Sequence, residues 1–375
     1  MIRVSLVLSG AFFFILDKCR SRASIFVGGD EMYIAQMLGT TVLMTADEAD
    51  KRRNYVCPGC QTPVTVKKGR LKQAHFAHTS LQKCQALAEG ESAVHLLGKL
   101  AMVDFFESIG GRVVLEPWLP EIQQRPDLLV TFDNRQVAIE FQCAPISVER
   151  VQHRTAGFAK LGLDVVWVLG PTYQQRKLQQ ATLAKFARIR HDTLQVALWR
   201  GKQGIQWREW WAVDGRTHVG REDYSDPIRQ LAKIQQQLVR RDRRIRQLQK
   251  QLYQQERTVT GIPVCCHISK PLPGGLKTAH WMLATQLIGM LEQEPCHADR
   301  LLTMIERAEW FAFGATPTSA VAKLWLTQLL VLWQSMGVVQ VTNDRWRLVT
   351  NVQWFADFNQ KCRELCSHVH TLGSK

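Results

Sequence analysis

The sequence predicts an α/β protein, preceded by a small metal-stabilised module and followed by a mainly helical region. Three observations carry that prediction. Between residues 89 and 170 the hydrophobic period gives, in order, a helix, three strands, a helix and a strand. Ahead of that stretch, two cysteines and two histidines stand at zinc-ligand spacing. Behind it, apolar residues recur at helical intervals over most of the remaining chain. At 375 residues the chain is too long for one ordinary core. The expected division is an extension over 1–31, a zinc-ribbon-like module over 32–85, the α/β domain over 86–172 and a strand-rich extension over 173–225. A basic heptad helix over 226–258 and a helical domain over 259–375, winged-helix-like at its end, complete it.

Composition narrows the function. A formal net charge of +15 points to a polyanionic partner such as nucleic acid, because neutralised phosphates release counterions. Ten cysteines in a chain this long do not make a disulfide scaffold, and the metal spacing of Cys57 and Cys60 fits a reducing cytosol, so a cytoplasmic protein is expected. The apolar run from Val4 to Leu16 lacks a small-x-small cleavage site and is too short to span a bilayer, so no membrane partner is expected. Gly28-Gly29-Asp30-Glu31 precede Met32, and one codon choice, GGA-GGT-GAT, reads as a ribosome-binding site. Translation is therefore expected to begin at Met32, which leaves residues 1–31 an untranslated or disordered extension.

Residues 55–78 read YVCPGCQTPVTVKKGRLKQAHFAH. Cys57 and Cys60 form a knuckle, two strands flank Lys68-Gly69, and His75 and His78 return two imidazoles. Four such ligands close a structural Zn²⁺ site with no position left for water, and Cys84 offers a substitute ligand. Lys67, Lys68, Arg70 and Lys72 decorate the hairpin, equally as phosphate contacts or as a solvated basic face. Residues 89–109 have helical spacing, with Glu91 and His95 four apart on one face. Residues 112–119 read as a strand with Glu116 near its end. RPDLLVTF and VAIEFQC then pair around a turn that includes Asp133-Asn134. Ser147 caps a helix to about Leu161 that sets Arg150 and Arg154 on one face, and DVVWVLG over 164–170 is a buried strand.

Beyond Pro171 a helix leads to strand-like segments at 194–198 and 207–213. Trp199, Trp207, Trp210 and Trp211 cluster there, as core rings or as a stacking platform for single-stranded bases. From 226 to 257, Leu231, Ile234, Leu238, Ile245, Leu248 and Leu252 fall on heptad positions, while Arg240, Arg241, Arg243, Arg244 and Arg246 make a basic run. This reads as one long helix that binds DNA, self-associates with a partner helix or separates domains as a solvated strut. After a proline- and glycine-rich stretch, residues 281–292, 298–311 and 318–335 are helical, and 337–349 form a hairpin turned at Asn343-Asp344.

The chemistry concentrates in the 125–143 hairpin. If Asp133-Asn134 is a two-residue turn, Asp127 falls opposite Glu140 and the acids sit side by side. They are either acids on the wet face of a half-buried hairpin, or a pair neutralised by a hard cation, Mg²⁺ or Mn²⁺, with the Phe141 carbonyl as a third ligand. The order P-D, then E-x-Q on the next strand, between helices carrying Glu91 and Arg150/Arg154, resembles the PD-(D/E)xK nuclease core. Gln142 stands where that pattern has lysine, and a neutral amide orients water without supplying charge.

The succession CPGC, HFAH, ESAVHLLGK, RPDLLV, AIEFQC, Arg154-Thr155 and VVWVLG resembles the competence protein CoiA family over most of the first 170 residues. That resemblance implies a restriction-endonuclease-like core acting on incoming DNA, single-stranded or branched, during natural transformation. It assigns metal-binding or catalytic roles to Asp127, Glu140 and Gln142, with Glu91, His95 and Arg154 in support, and the strand-exchange recombinase as a partner. Two functions follow as expectations: a Mg²⁺-dependent DNA phosphodiesterase, and a non-catalytic DNA-binding recombination mediator that keeps the nuclease fold as a scaffold. A nuclease directed at RNA is a third.

Overall fold

A computed structural model describes residues 34–40, 43–46, 49–57, 62–69, 74–79, 93–174, 178–210, 227–268 and 271–372. The chain divides into two units: residues to Leu178 together with Val196–Arg208, and Gln179–Gln195 together with Glu209–Lys375. The expected extension over 1–31 and the start at Met32 lie outside the described residues.

In the first unit, β1 (Ile34–Met37), β2 (Leu43–Thr45), β3 (Tyr55–Val56), β4 (Pro63–Lys67) and β5 (His75–His78) form an antiparallel sheet ordered β2-β1-β3-β4-β5. The core it encloses is small: Tyr55, Cys57, Val64, Phe76 and three alanines. The Cys57 N–H donates to the Thr62 carbonyl at 2.8 Å, which brings the ends of the expected knuckle together.

The larger sheet follows. Helix α1 (Ala93–Ser108) leads into a meander of β6 (Arg112–Leu115), β7 (Leu128–Phe132) and β8 (Arg135–Gln142). Helix α2 (Val148–Lys160) then crosses over to β9 (Asp164–Leu169), which runs parallel to β8. Ser147 caps α2 by accepting from the Arg150 N–H at 3.2 Å, as its sequence position predicts. After the short helices α3 (Pro171–Gln174) and α4 (Gln180–Phe186) come β10 (Arg188–Arg190), β11 (Thr193–Trp199) and β12 (Ile205–Glu209). The sheet order is β10-β11-β9-β8-β7-β6, with β12 on β11. The strand-rich extension thus continues the sheet through β11, which is parallel to β9. Val137 to Phe141 are all buried, the mark of a strand covered on both faces. Met102 and Phe106 of α1 pack on Leu128, Val130, Phe132, Val137, Ile139 and Phe141. Trp167 of β9 donates to the Thr155 hydroxyl of α2 at 3.1 Å.

The second unit corrects one expectation. Residues 226–258 are not one long heptad helix: α5 (Pro227–Val239) and α6 (Arg243–Tyr253) are separate, with Arg241 at φ +59° between them and Asp242 capping α6. Leu231, Ile234, Ile245, Leu248 and Leu252 are buried, so these heptad positions pack inside this unit. There follow α7 (His280–Gln293), β13 (Cys296–His297), α8 (Ala298–Glu306), α9 (Thr318–Ser335), β14 (Val339–Thr342), β15 (Arg345–Leu348) and α10 (Phe358–Leu372). With the sheet ordered β13-β15-β14, α7 to β15 have winged-helix topology, and the hairpin turns at Asn343 and Asp344, both at positive φ. Topology alone carries no function.

The tryptophan platform is also corrected. Trp199 lies in the first unit's core, edge-on to Phe105, and Trp210 is buried against Phe313 in the second unit. Trp207 packs half-buried on the first core, and Trp211 lies outside the described residues. Among the described residues no helix is long and apolar enough to cross a membrane.

Candidate active site

Hairpin register builds the site. Leu128 pairs with Ile139 and Phe132 with Arg135, so the turn has two residues and Asp127 stands opposite Glu140. On the other side of β7, Leu115 pairs with Leu128 and the Glu116 N–H donates to the Asp127 carbonyl at 2.9 Å. Three acids, Glu116, Asp127 and Glu140, therefore occupy neighbouring positions across three strands, and β9 adds Trp167 beside Glu140.

Each acid meets a basic side chain from a helix. The Asp127 Oδ2 accepts from the Phe141 N–H at 2.7 Å and lies 3.4 Å from His95 Nε2. His95 also donates through Nε2 to the Phe141 carbonyl at 2.6 Å, and its ring stacks on the Phe141 ring. Glu140 accepts from Arg154, through Nε at 3.1 Å and through Nη2, while the same guanidinium donates to the Arg125 carbonyl at 2.8 Å. Lys99, one helical turn beyond His95, pairs with Glu116, which Arg125 approaches at 3.4 Å. Gly98 lets α1 press this close: a Cβ there would stand 1.9 Å from the Phe141 ring.

The electrostatics favour an added positive charge. Glu140 is only 5% exposed. Burial above all, and then the Asp127 charge, push its carboxyl from 4.5 up to about 8, although Arg154 pulls the other way. Burial, with Asp127 adding to it, also raises Cys143 to about 12. Two carboxylates and a carbonyl are hard oxygen donors, the set that suits Mg²⁺ or Mn²⁺, and the Phe141 oxygen keeps a second lone pair beside the one His95 uses. Among the described residues no three His, Cys, Asp or Glu side chains form a group that could hold a metal ion.

The structure thus brings Asp127, Glu140, Phe141, His95 and Arg154 together. Gln142 belongs to the same strand end, with its amide donating to the Ala144 carbonyl. Arg150 is exposed on α2, and Lys67 and Lys68 are exposed at the end of β4. Glu91, Cys60, Arg70, Cys84 and the side chain of His75 lie outside the described residues; of the expected zinc ligands, Cys57 is buried and His78 half-buried. Sequence reasoning missed Lys99 and Glu116 as parts of the site. The signal for Lys99 was its four-residue spacing from His95; for Glu116 it was the register of β6 on β7.

A mixed sheet covered by helices on both faces, with paired acids at one strand end, makes an α/β domain compatible with what comparison finds. Residues 91–198 match the model of the competence protein CoiA nuclease-like domain, and residues 43–87 that of the CoiA N-terminal domain. The chain is 38% identical over 120 residues to the competence protein CoiA of Bacillus subtilis (strain 168), a stretch covering 32% of each chain. No solved structure matches. Over these two segments the chain is similar to the competence protein CoiA family, and it spans about a third of the length of the curated relative it matches.

Proposed function

We propose that the chain is a divalent-metal-dependent DNA phosphodiesterase that processes incoming DNA or recombination intermediates in natural transformation. The observation that carries this reading is Glu140: a buried acid beside a second acid, raised to about 8, in a domain of nuclease-like family. Such a pair is stable as two carboxylates only when a cation joins it. Asp127, Glu140 and the Phe141 carbonyl would hold Mg²⁺ or Mn²⁺, which when bound polarises a phosphate oxygen and lowers the pKa of water.

The chain's own residues do the rest. His95 fixes the Phe141 carbonyl, and its ring closes the floor of the site. Arg154 holds Glu140 and the Arg125 backbone together and offers its charge to the phosphate. Gln142, at the strand end, orients the attacking water; it cannot take its proton, so that proton passes to solvent. Lys67, Lys68, Arg70 and Arg150 are suited to backbone phosphates, and a strand-exchange recombinase is the natural consumer of processed single strands.

For the N-terminal module we propose Zn²⁺ held by Cys57, Cys60, His75 and His78, because so small a core ordinarily needs a metal to fold. A second reading, a non-catalytic mediator, has one observation in its favour: Arg154 already neutralises part of Glu140 without any ion.

Calorimetry tests the metal claim. At pH 7, Mg²⁺ binding should expel close to one proton from Glu140, read as a dependence of the measured heat on buffer ionisation enthalpy. Glu140→Gln should remove that release. Heats that do not vary with the buffer in the wild type would contradict the proposal.

A further inference from the structure

We propose that the corner between α5 and α6 is a phosphate-binding surface for nucleic acid, carried by the part of the chain that follows the family match at residue 198. Arg240, Arg241, Arg243, Arg244 and Arg246 crowd into seven residues, and all are exposed. The one acid among them, Asp242, is engaged in capping α6, accepting from the Arg244 N–H at 2.9 Å and the Ile245 N–H at 3.2 Å. Arg244 pairs with Glu309 at 2.8 Å. Among the described residues no carboxylate pairs with Arg240, Arg241, Arg243 or Arg246. Leu231, Ile234, Ile245, Leu248 and Leu252 of the two helices are buried while the arginines about the turn are exposed, a local excess of positive charge that suits a polyanion.

The backbone supplies a second, independent observation. Helix α5 ends in a Schellman motif: the Arg241 N–H donates to the Leu238 carbonyl at 3.0 Å and the Asp242 N–H to the Gln237 carbonyl at 3.1 Å. The left-handed position of that motif belongs by preference to glycine, yet it holds Arg241 at φ +59°. The fold does not need an arginine there, and among the described residues no carboxylate pairs with it. Residues kept in a disfavoured conformation cluster at binding sites.

The partner follows from chemistry. A guanidinium fork matches phosphate oxygens. A membrane surface would want a continuous apolar helical face beside the charge, whereas the exposed large apolar side chains of α5 and α6 are Val239 and Tyr253, single residues at the ends of different helices. A nucleic acid backbone needs only the charge.

The test uses the full chain in EDTA, so its outcome does not depend on whether the nuclease-like site cleaves. Binding of labelled single-stranded and duplex DNA is titrated across salt concentrations. Replacing Arg240, Arg241, Arg243 and Arg246 by Gln should make the slope of log K against log salt less negative by about 3, and should weaken binding at least about tenfold at moderate salt. Arg241→Gly should reduce the slope by about 1 while Tm holds or rises by about 2 °C, which separates lost contacts from lost folding. An unchanged slope and affinity in the fourfold variant overturns the proposal. So does a fourfold variant that loses phosphatidylglycerol vesicles or polyglutamate but keeps DNA.

Discussion

Glu140→Gln is the perturbation that reads the site's electrostatics most fully. The native state holds the Glu140 proton more tightly than the unfolded chain, since its carboxyl rises from 4.5 to about 8. Stability from this group is therefore complete below pH 4.5 and is lost as pH climbs towards 8. Ionised Glu140 opposes folding by about 5 kcal/mol relative to its protonated form, from about 1.4 kcal/mol per pH unit across that interval. Glutamine mimics the protonated acid. The variant should match the wild type near pH 4.5 and exceed it by about 3–5 kcal/mol at pH 8.5, the lower figure allowing for an Arg154 left without its carboxylate. Urea unfolding of both proteins at several pH values measures this. Mg²⁺ should flatten the wild-type pH dependence and leave the variant unchanged. A stability difference that does not vary with pH would refute the reasoning, because it would mean that Glu140 is ionised at no cost.

Lys99 and Glu116 should respond asymmetrically. Glu116→Ala removes the carboxylate paired with an ammonium that is only 1% exposed and should cost about 2 kcal/mol or more, whereas Lys99→Met leaves a half-buried carboxylate that Arg125 still approaches and should cost about 1 kcal/mol; denaturant titration of each variant and of the double mutant checks this. Gly98→Ala drives a methyl group into the Phe141 ring and should lower stability by about 2 kcal/mol or more, with loss of Mg²⁺ binding as α1 shifts, seen in thermal melts and calorimetry. For the zinc proposal, metal analysis of protein purified without added zinc should find one ion per chain, and Cys57→Ser should remove it; a folded N-terminal module with no zinc would sink that idea.

What was legible in the sequence was what local rules govern. Period-two alternation and a two-residue turn put Asp127 opposite Glu140, Ser147 announced the start of α2, and Asn343-Asp344 accepted the positive φ of a tight hairpin. Failures came where tertiary context overrode pattern. The heptads of 226–258 run through Arg241, which nothing in an arginine marks as left-handed, so a helical hairpin read as one helix. Helix α10 was read only as part of the helical region over 259–375 and not as a separate element, although it is as amphipathic as α2. The Lys99–Glu116 pair depends on how β6 registers on β7, which residue spacing within either element cannot show. For the tryptophans between 199 and 210 the sequence left core and stacking readings open, and burial of Trp199 and Trp210 decides for the core.

The most direct measurement of the central claim is cleavage beside binding. Wild-type protein and Asp127→Asn would be incubated with labelled single-stranded, duplex and branched DNA, with Mg²⁺, with Mn²⁺ and with EDTA, while affinity is measured in parallel in EDTA. The account predicts that the wild type cuts at least one substrate only when a divalent ion is present, and that Asp127→Asn keeps its affinity while its cleavage falls below detection. Wild-type protein that binds DNA but cuts none of the substrates with either ion, or Asp127→Asn that cuts as fast as the wild type, would contradict it.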